Sequence, residues 1–263
     1  MTTETSGSGD LSRTLDLLWG TGERPTRGPR PGLTLDRIVA TAIAVADAEG
    51  LAAVSMRRIA AELGTGTMTL YRYVPGKDEL LDLMLDRVTD PGPPADAAPA
   101  ECADRDEVWR TTVRAMAHGY RDLYRAHPWL LRVNRARTLL GPSSLRAMEM
   151  ALSGLRPSGL DDPELLSVML LVQSYVTGMA LAEADAAQAQ EETGQSEEEF
   201  WRQQSPYLER AMLSGEYPVS ATLSDDTFSR DVDHFDFGLQ RVLDGLEALI
   251  GRRRAAVEAD GER

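Results

Sequence analysis

Apolar positions recur along most of this chain at steps of three and four, the period of helices that bury one face. Leu35, Ile38, Val39, Ala42, Val45 and Ala46 form one such stripe, opened by Thr34 as a cap and closed by Gly50. From Ser55 to Lys77 the chain reads SMRRIAAELGTGTMTLYRYVPGK. The spacing predicts a helix with Met56, Ile59, Ala60 and Leu63 inside, a break at Gly64, and a second short helix with Met68, Tyr71 and Val74 turned inward. Ser55 is placed to cap the first of these, and Gly64 tolerates the left-handed backbone of a sharp exit. Two short helices joined this way make a helix-turn-helix.

Pro75 and Gly76 then interrupt the chain before a connector helix over 77–90, apolar around much of its circumference. A linker from Pro91 to Ala103, with four prolines, breaks helical continuity. Beyond it the period predicts helices over about 107–126, 129–140, 143–154, 163–190, 197–213 and 230–252. The last carries Phe235, Leu239, Val242, Leu246 and Leu249, widened by Leu243 and Ile250, a face broad enough to serve both its own core and a twin subunit. No segment alternates with the period of a strand. The expected fold is all-α: a flexible arm over 1–32, a three-helix helix-turn-helix domain over 33–90, and a larger helical domain over 104–253.

Composition narrows the function. A net charge of −14 excludes a protein coated in basic charge, so nucleic acid must be met by a local patch. Such a patch exists: between Arg24 and Pro75 seven arginines face Asp36, Asp47, Glu49 and Glu62, a balance of +3. Outward positions of the second short helix, Thr67, Thr69, Arg72 and Tyr73, carry groups that read base edges and grip phosphates. Arg24, Arg27 and Arg30 in the arm are placed either to enter a minor groove or merely to solubilise a tail. The short apolar run at Leu15, Leu17, Leu18 and Trp19 is the part of the arm able to dock on the body.

A single cysteine, Cys102, leaves no disulfide framework or cysteine-rich zinc site, and the N-terminus has no secretory pattern, so a cytoplasmic protein is expected. Leu165–Ala182 only just reaches spanning length and contains Gln173, Ser174 and Thr177, so a buried helix rather than a membrane span is expected. Asp231, Asp233, His234 and Asp236 resemble a metal cluster, but Asp233 and Asp236 share a face without His234, which fits a helix start. No catalytic set, metal site or cofactor is expected.

The segment IVATAIAVADAEGLAAVSMRRIAAELGTGTMTLYRYVPGKDELLDLML resembles the DNA-binding domain of TetR-family transcriptional repressors. Its markers are Ile59-Ala60, Leu63-Gly64, Thr69-Leu70-Tyr71, Lys77 and Leu80-Leu81. Val74, with Phe235-Asp236-Phe237-Gly238-Leu239 and Gly245-Leu246-Glu247-Ala248-Leu249, is closer to the branch around the tetracycline repressor. The resemblance implies that Arg57, Thr67, Met68, Thr69, Arg72 and Tyr73 face operator DNA, and that Tyr71 and Lys77 grip phosphates. Gly66 and Thr67 stand where many members have Ser and Lys, which leaves base preference open. The resemblance further implies a homodimer through C-terminal helices, and a larger domain that binds a small-molecule effector.

His118, Tyr124, Trp129, Gln173, Tyr175 and Met179 fall at helical spacing and are candidates to line an effector pocket, against the plainer expectation of ordinary core packing. The function expected is a ligand-responsive regulator, most simply a repressor released from a palindromic operator. Its rivals are a DNA-binding regulator without a small effector and a ligand-sequestering helical protein.

Overall fold

The structure, a computed structural model, describes residues 4–20, 33–92, 105–134, 137–224, 227 and 232–261. Arg24, Arg27, Arg30, Cys102 and Asp231 lie outside them. The fold is all-α apart from one two-residue ladder: α1 (Leu11–Trp19), α2 (Leu35–Glu49), α3 (Met56–Glu62), α4 (Thr67–Leu70), α5 (Lys77–Val88), α6 (Arg105–Ala126), α7 (Pro142–Leu155), α8 (Asp162–Thr193), α9 (Glu197–Leu213) and α10 (His234–Gly261).

Local chemistry sets the boundaries of the reading head. The Thr34 hydroxyl accepts from Arg37 N (3.1 Å) to start α2, and Ser55 Oγ accepts from Arg58 N (3.2 Å) to start α3. Gly64 has φ +62°, which a side-chain-bearing residue would adopt only with strain, and so turns the chain out of α3. Ile38, Val39, Ala42, Val45 and Ala46 of α2, Met56, Ile59 and Ala60 of α3, and Leu70 and Val74 close one core over α5. Leu70, rather than Met68 or Tyr71, is the inward residue of α4: Met68 is 77% exposed and Tyr71 is also exposed. The reason is length. Four helical residues are too few to fix the phase, since 68, 71 and 74 and equally 70 and 74 fall at helical steps; the buried side is Leu70 with Val74 in the turn beyond. Tyr73, expected to face outward, is half-buried against the core.

Connector α5 is buried from Glu79 through Asp86, carboxylates included. Asp86 accepts from Ser143 N (3.2 Å) and Ser144 N (2.9 Å), and so caps α7 across the junction between the head and the larger domain. Glu79 and Asp82 face the N-terminal segment. Asp82 accepts from Ser6 Oγ (2.7 Å) and Gly7 N (3.0 Å), and Glu79 from Asp10 N (3.1 Å). Burial pushes the Asp82 carboxyl above the ordinary carboxylate range, against the opposing pull of the Ser6 hydroxyl and Gly7 N–H.

Two expectations are corrected by these contacts. Residues 4–20 are not a flexible arm: Asp10 caps α1, Thr14 is fully buried, and Leu17 and Leu18 pack on the core. The predicted helix over 129–140 is instead a 3₁₀ turn, Pro128–Arg132, followed by strand β2 (Val133–Asn134). Parallel to it runs β1 (Glu4–Thr5), so the backbone groups that a helix would have satisfied internally are taken up by the N-terminal segment.

In the larger domain α6 packs against α7, α8 and α10. Asp161 and Glu164 form a reciprocal capping box at the start of α8, and Asp233 Oδ1 accepts from Asp236 N (2.8 Å) at the start of α10. The helix-start role thus accounts for Asp233. α8 is long and apolar enough to cross a membrane by length and composition, but Leu165, Val168, Val172, Val176 and Ala180 form a buried face at helical spacing. It is half-buried rather than buried, because Leu166, Leu170 and Leu171 remain exposed on its outer flank. On α10, Phe235, Leu239, Leu243, Leu246 and Ile250 are spent on the chain's own core, while Phe237 is exposed.

Candidate nucleic-acid interface and effector domain

The exposed side of the helix-turn-helix carries Arg57, Met68, Tyr71 and Arg72, with Thr67 and Thr69 partly exposed. Gly66 occupies the cap position of α4 and supplies no side-chain cap, so the amides of the first turn are not met by their own cap residue. Arg58 does not belong to this face: its guanidinium is bound by Glu49 (2.6 Å) and Glu62 (2.7 Å), which pins α3 to the end of α2. Lys77, at the first position of α5, is held by Glu4 at 2.7 Å. Tyr73 is half-buried, packed against the core of the head.

The head meets the larger domain at a second polar joint. Asp47 Oδ1, at the end of α2, accepts from Trp129 Nε1 at 2.7 Å and lies 2.7 Å from His127 Nδ1. Trp129, a candidate effector contact, therefore spends its polar end on the head. This joint spans about eighty residues of sequence and has no local signature; only an indole and an imidazole two residues apart hint at a shared acceptor.

Two other candidates come together around Phe235 of α10. His118 of α6 lies with its ring centroid 5.6 Å from Phe235, and Tyr175 of α8 at 5.9 Å. Arg121 covers the same ring at 4.1 Å and donates to His118 Nδ1 at 3.2 Å. The Tyr175 hydroxyl donates to the Phe235 carbonyl (2.7 Å), and burial, with Asp233 nearby, raises its pKa. Phe235 was expected on the buried face of the last helix rather than in this group, and Arg121 carried no signal of its own beyond sitting one turn from His118 on the same face. Tyr124 is instead turned to Thr177, oxygen to oxygen 2.8 Å, tying α6 to α8. Gln173 contributes its carbonyl to Thr177 on α8, and Met179 packs at the core edge.

The α8–α10 approach at this group depends on Gly238. A Cβ there would fall 2.7 Å from Cε2 and 2.8 Å from Cζ of Tyr175. Gly238→Ala is therefore expected to lower stability by about 1–3 kcal/mol through displacement of the Tyr175 ring, read as a drop in thermal midpoint; an unchanged midpoint contradicts the packing described.

Residues 38–84 match the family of bacterial regulatory proteins of the tetR type, and residues 101–250 match the tetracyclin repressor-like C-terminal domain. The HTH-type transcriptional repressor DrrR1 of Streptomyces coeruleorubidus is 58% identical over 96% of this chain and 91% of its own length. Apo ActR of Streptomyces coelicolor superposes with a TM-score of 0.67 at 34% identity, over 86% of this chain and all of that one. ActR has also been solved in complex with actinorhodin, a structure that superposes at 0.61 and 32% identity over 83% and 97% of the two chains. The chain belongs to the TetR family of bacterial transcriptional regulators.

Proposed function

We propose that this protein is a homodimeric, cytoplasmic repressor that holds a palindromic operator through Arg57, Thr67, Met68, Thr69, Tyr71, Arg72, Tyr73 and Lys77 and releases it when a small, largely apolar effector binds the larger domain. The observation that carries the proposal is the exposed face of α3 and α4, basic and hydroxyl-bearing on an otherwise acidic chain. The 58% identity to a protein described as a repressor supports repression as the output. The ActR complex with actinorhodin supports a small-molecule effector.

A second copy of this chain is the occupant proposed for the outer flank of α8 and for Phe237 of α10, since exposed leucines at 166, 170 and 171 form an apolar surface. Two heads then present α4 and α4 of the partner to successive major grooves, which lie about 34–36 Å apart. An effector that changes this separation need bind the two forms only about tenfold differently per subunit, about 1.4 kcal/mol, to shift each binding step as much.

The DNA half is tested by titrating purified protein into a duplex taken from upstream of its own gene, with a random duplex as control. Binding that prefers the upstream duplex is expected; equal affinity for both contradicts an operator reader. The effector half is tested by thermal scans against compound panels, since a ligand that binds the folded form at one hundred times its Kd adds about 2.7 kcal/mol. A compound that raises the midpoint and also releases DNA is the expected effector; compounds that raise it without releasing DNA contradict the coupling.

A further inference from the structure

The N-terminal segment touches both domains at once. Its first two described residues pair with β2 of the larger domain, Glu4 beside Val133 and Thr5 beside Asn134, and Ser6 N donates to the Asn134 carbonyl at 3.1 Å. Its next residues are hooked onto α5 of the head by Asp82 and Glu79, and α1 then lies along that helix. The fit is close: a Cβ on Gly9 would fall 2.6 Å from Glu79 Oε1, and one on Gly7 would fall 3.0 Å from the Arg137 carbonyl. Residues 4–10 are thus held by β2 at one end and by α5 at the other, and the Glu4 carboxylate is delivered to Lys77 Nζ at 2.7 Å, each side chain about 30% exposed.

Lys77 is the only lysine in the chain and stands at the start of the connector helix. An ammonium there attracts whichever anion is nearest, and a carboxylate and a phosphate oxygen are alternatives for it. A phosphate arriving at Lys77 must either displace Glu4 or sit beside its negative charge, and both oppose binding.

We propose that residues 4–19 form an autoinhibitory strap: anchored on β2 and α5, it places Glu4 on Lys77 and competes with the operator phosphate for that ammonium. The proposal rests on the reading of Lys77 as a phosphate contact. It also supplies a route from the effector domain to the head. β2 follows directly on the turn that carries Trp129, so a shift of that turn moves the strand holding Glu4.

The test is a double-mutant cycle on the full-length chain, measured by fluorescence anisotropy with the upstream duplex. Glu4→Gln keeps the shape and removes the charge. It is expected to raise affinity roughly threefold per head, the size of a partly exposed ion pair, with the thermal midpoint shifted only slightly. Lys77→Gln is expected to weaken binding, and Glu4→Gln added to it is expected to give no further gain. A Glu4→Gln chain that binds no better, or whose gain persists undiminished with Lys77→Gln, overturns the strap. A Lys77→Gln chain that binds DNA as the parent does overturns the phosphate role of Lys77 itself, whatever Glu4→Gln does.

Discussion

Lys77→Ala is expected to weaken binding to the upstream duplex and to random duplex by the same factor and to flatten the salt dependence by about one ion per head. The expected loss corresponds to one charge-assisted contact, about 1.5–3 kcal/mol per head, less what is regained because Glu4 no longer has to be displaced. The uniformity follows from chemistry, since a phosphate is the same at every step of the duplex. Arg72→Ala is the contrasting case. Its side chain is exposed in the turn that follows α4, close to the positions proposed to read bases, so its loss is expected to change preference among sequences. An equal loss on specific and random DNA at Arg72 would assign it to the backbone as well.

Asp47→Ala should loosen one of the joints between the two domains. Trp129 is 3% exposed, so removing its acceptor leaves a buried indole N–H without a partner, at a cost of about 1–3 kcal/mol. For a chain of this size that is a fall of about 2–4 °C in thermal midpoint per kcal/mol. The same substitution frees His127, the other tie between the α6 end and the head. Operator binding should survive while the response to effector is blunted, because one of the ties between the head and the turn at Pro128–Arg132 is lost. Asp47→Asn, which keeps an acceptor for the indole, is expected to recover most of the stability. An Asp47→Ala chain with parental stability and full effector response contradicts a coupling role for this joint.

What the sequence made legible was local. Thr34, Ser55 and Gly64 announce their caps and turn, and the stripe from Leu35 to Ala46 faces the core as its period requires. The capping role of Asp233 was equally readable from its place before an apolar run. The errors arose where partners are distant. The docking of the apolar run at Leu17 and Leu18 was readable, but residues 4–10 look polar and unanchored until Glu79 and Asp82, some seventy positions later, supply acceptors for their amides and hydroxyl. Trp129 reads as an aromatic for a pocket until Asp47 is seen beside it. Period also fails in short elements. In α4 the four-residue helix ends before its phase is established, so Leu70 rather than Met68 is buried. The cluster around Phe235 shows the same division: His118 and Tyr175 were visible as polar aromatics, but the ring they share, Phe235, comes from a third helix, sixty residues beyond Tyr175.

The central claim is that the exposed face of α3 and α4 reads an operator and grips its phosphates. Affinity for the upstream duplex, measured by anisotropy across a range of salt concentrations, tests it most directly. Preference over random duplex with a linear fall of log affinity against log salt is the result expected; no preference, or binding indifferent to salt, would contradict it.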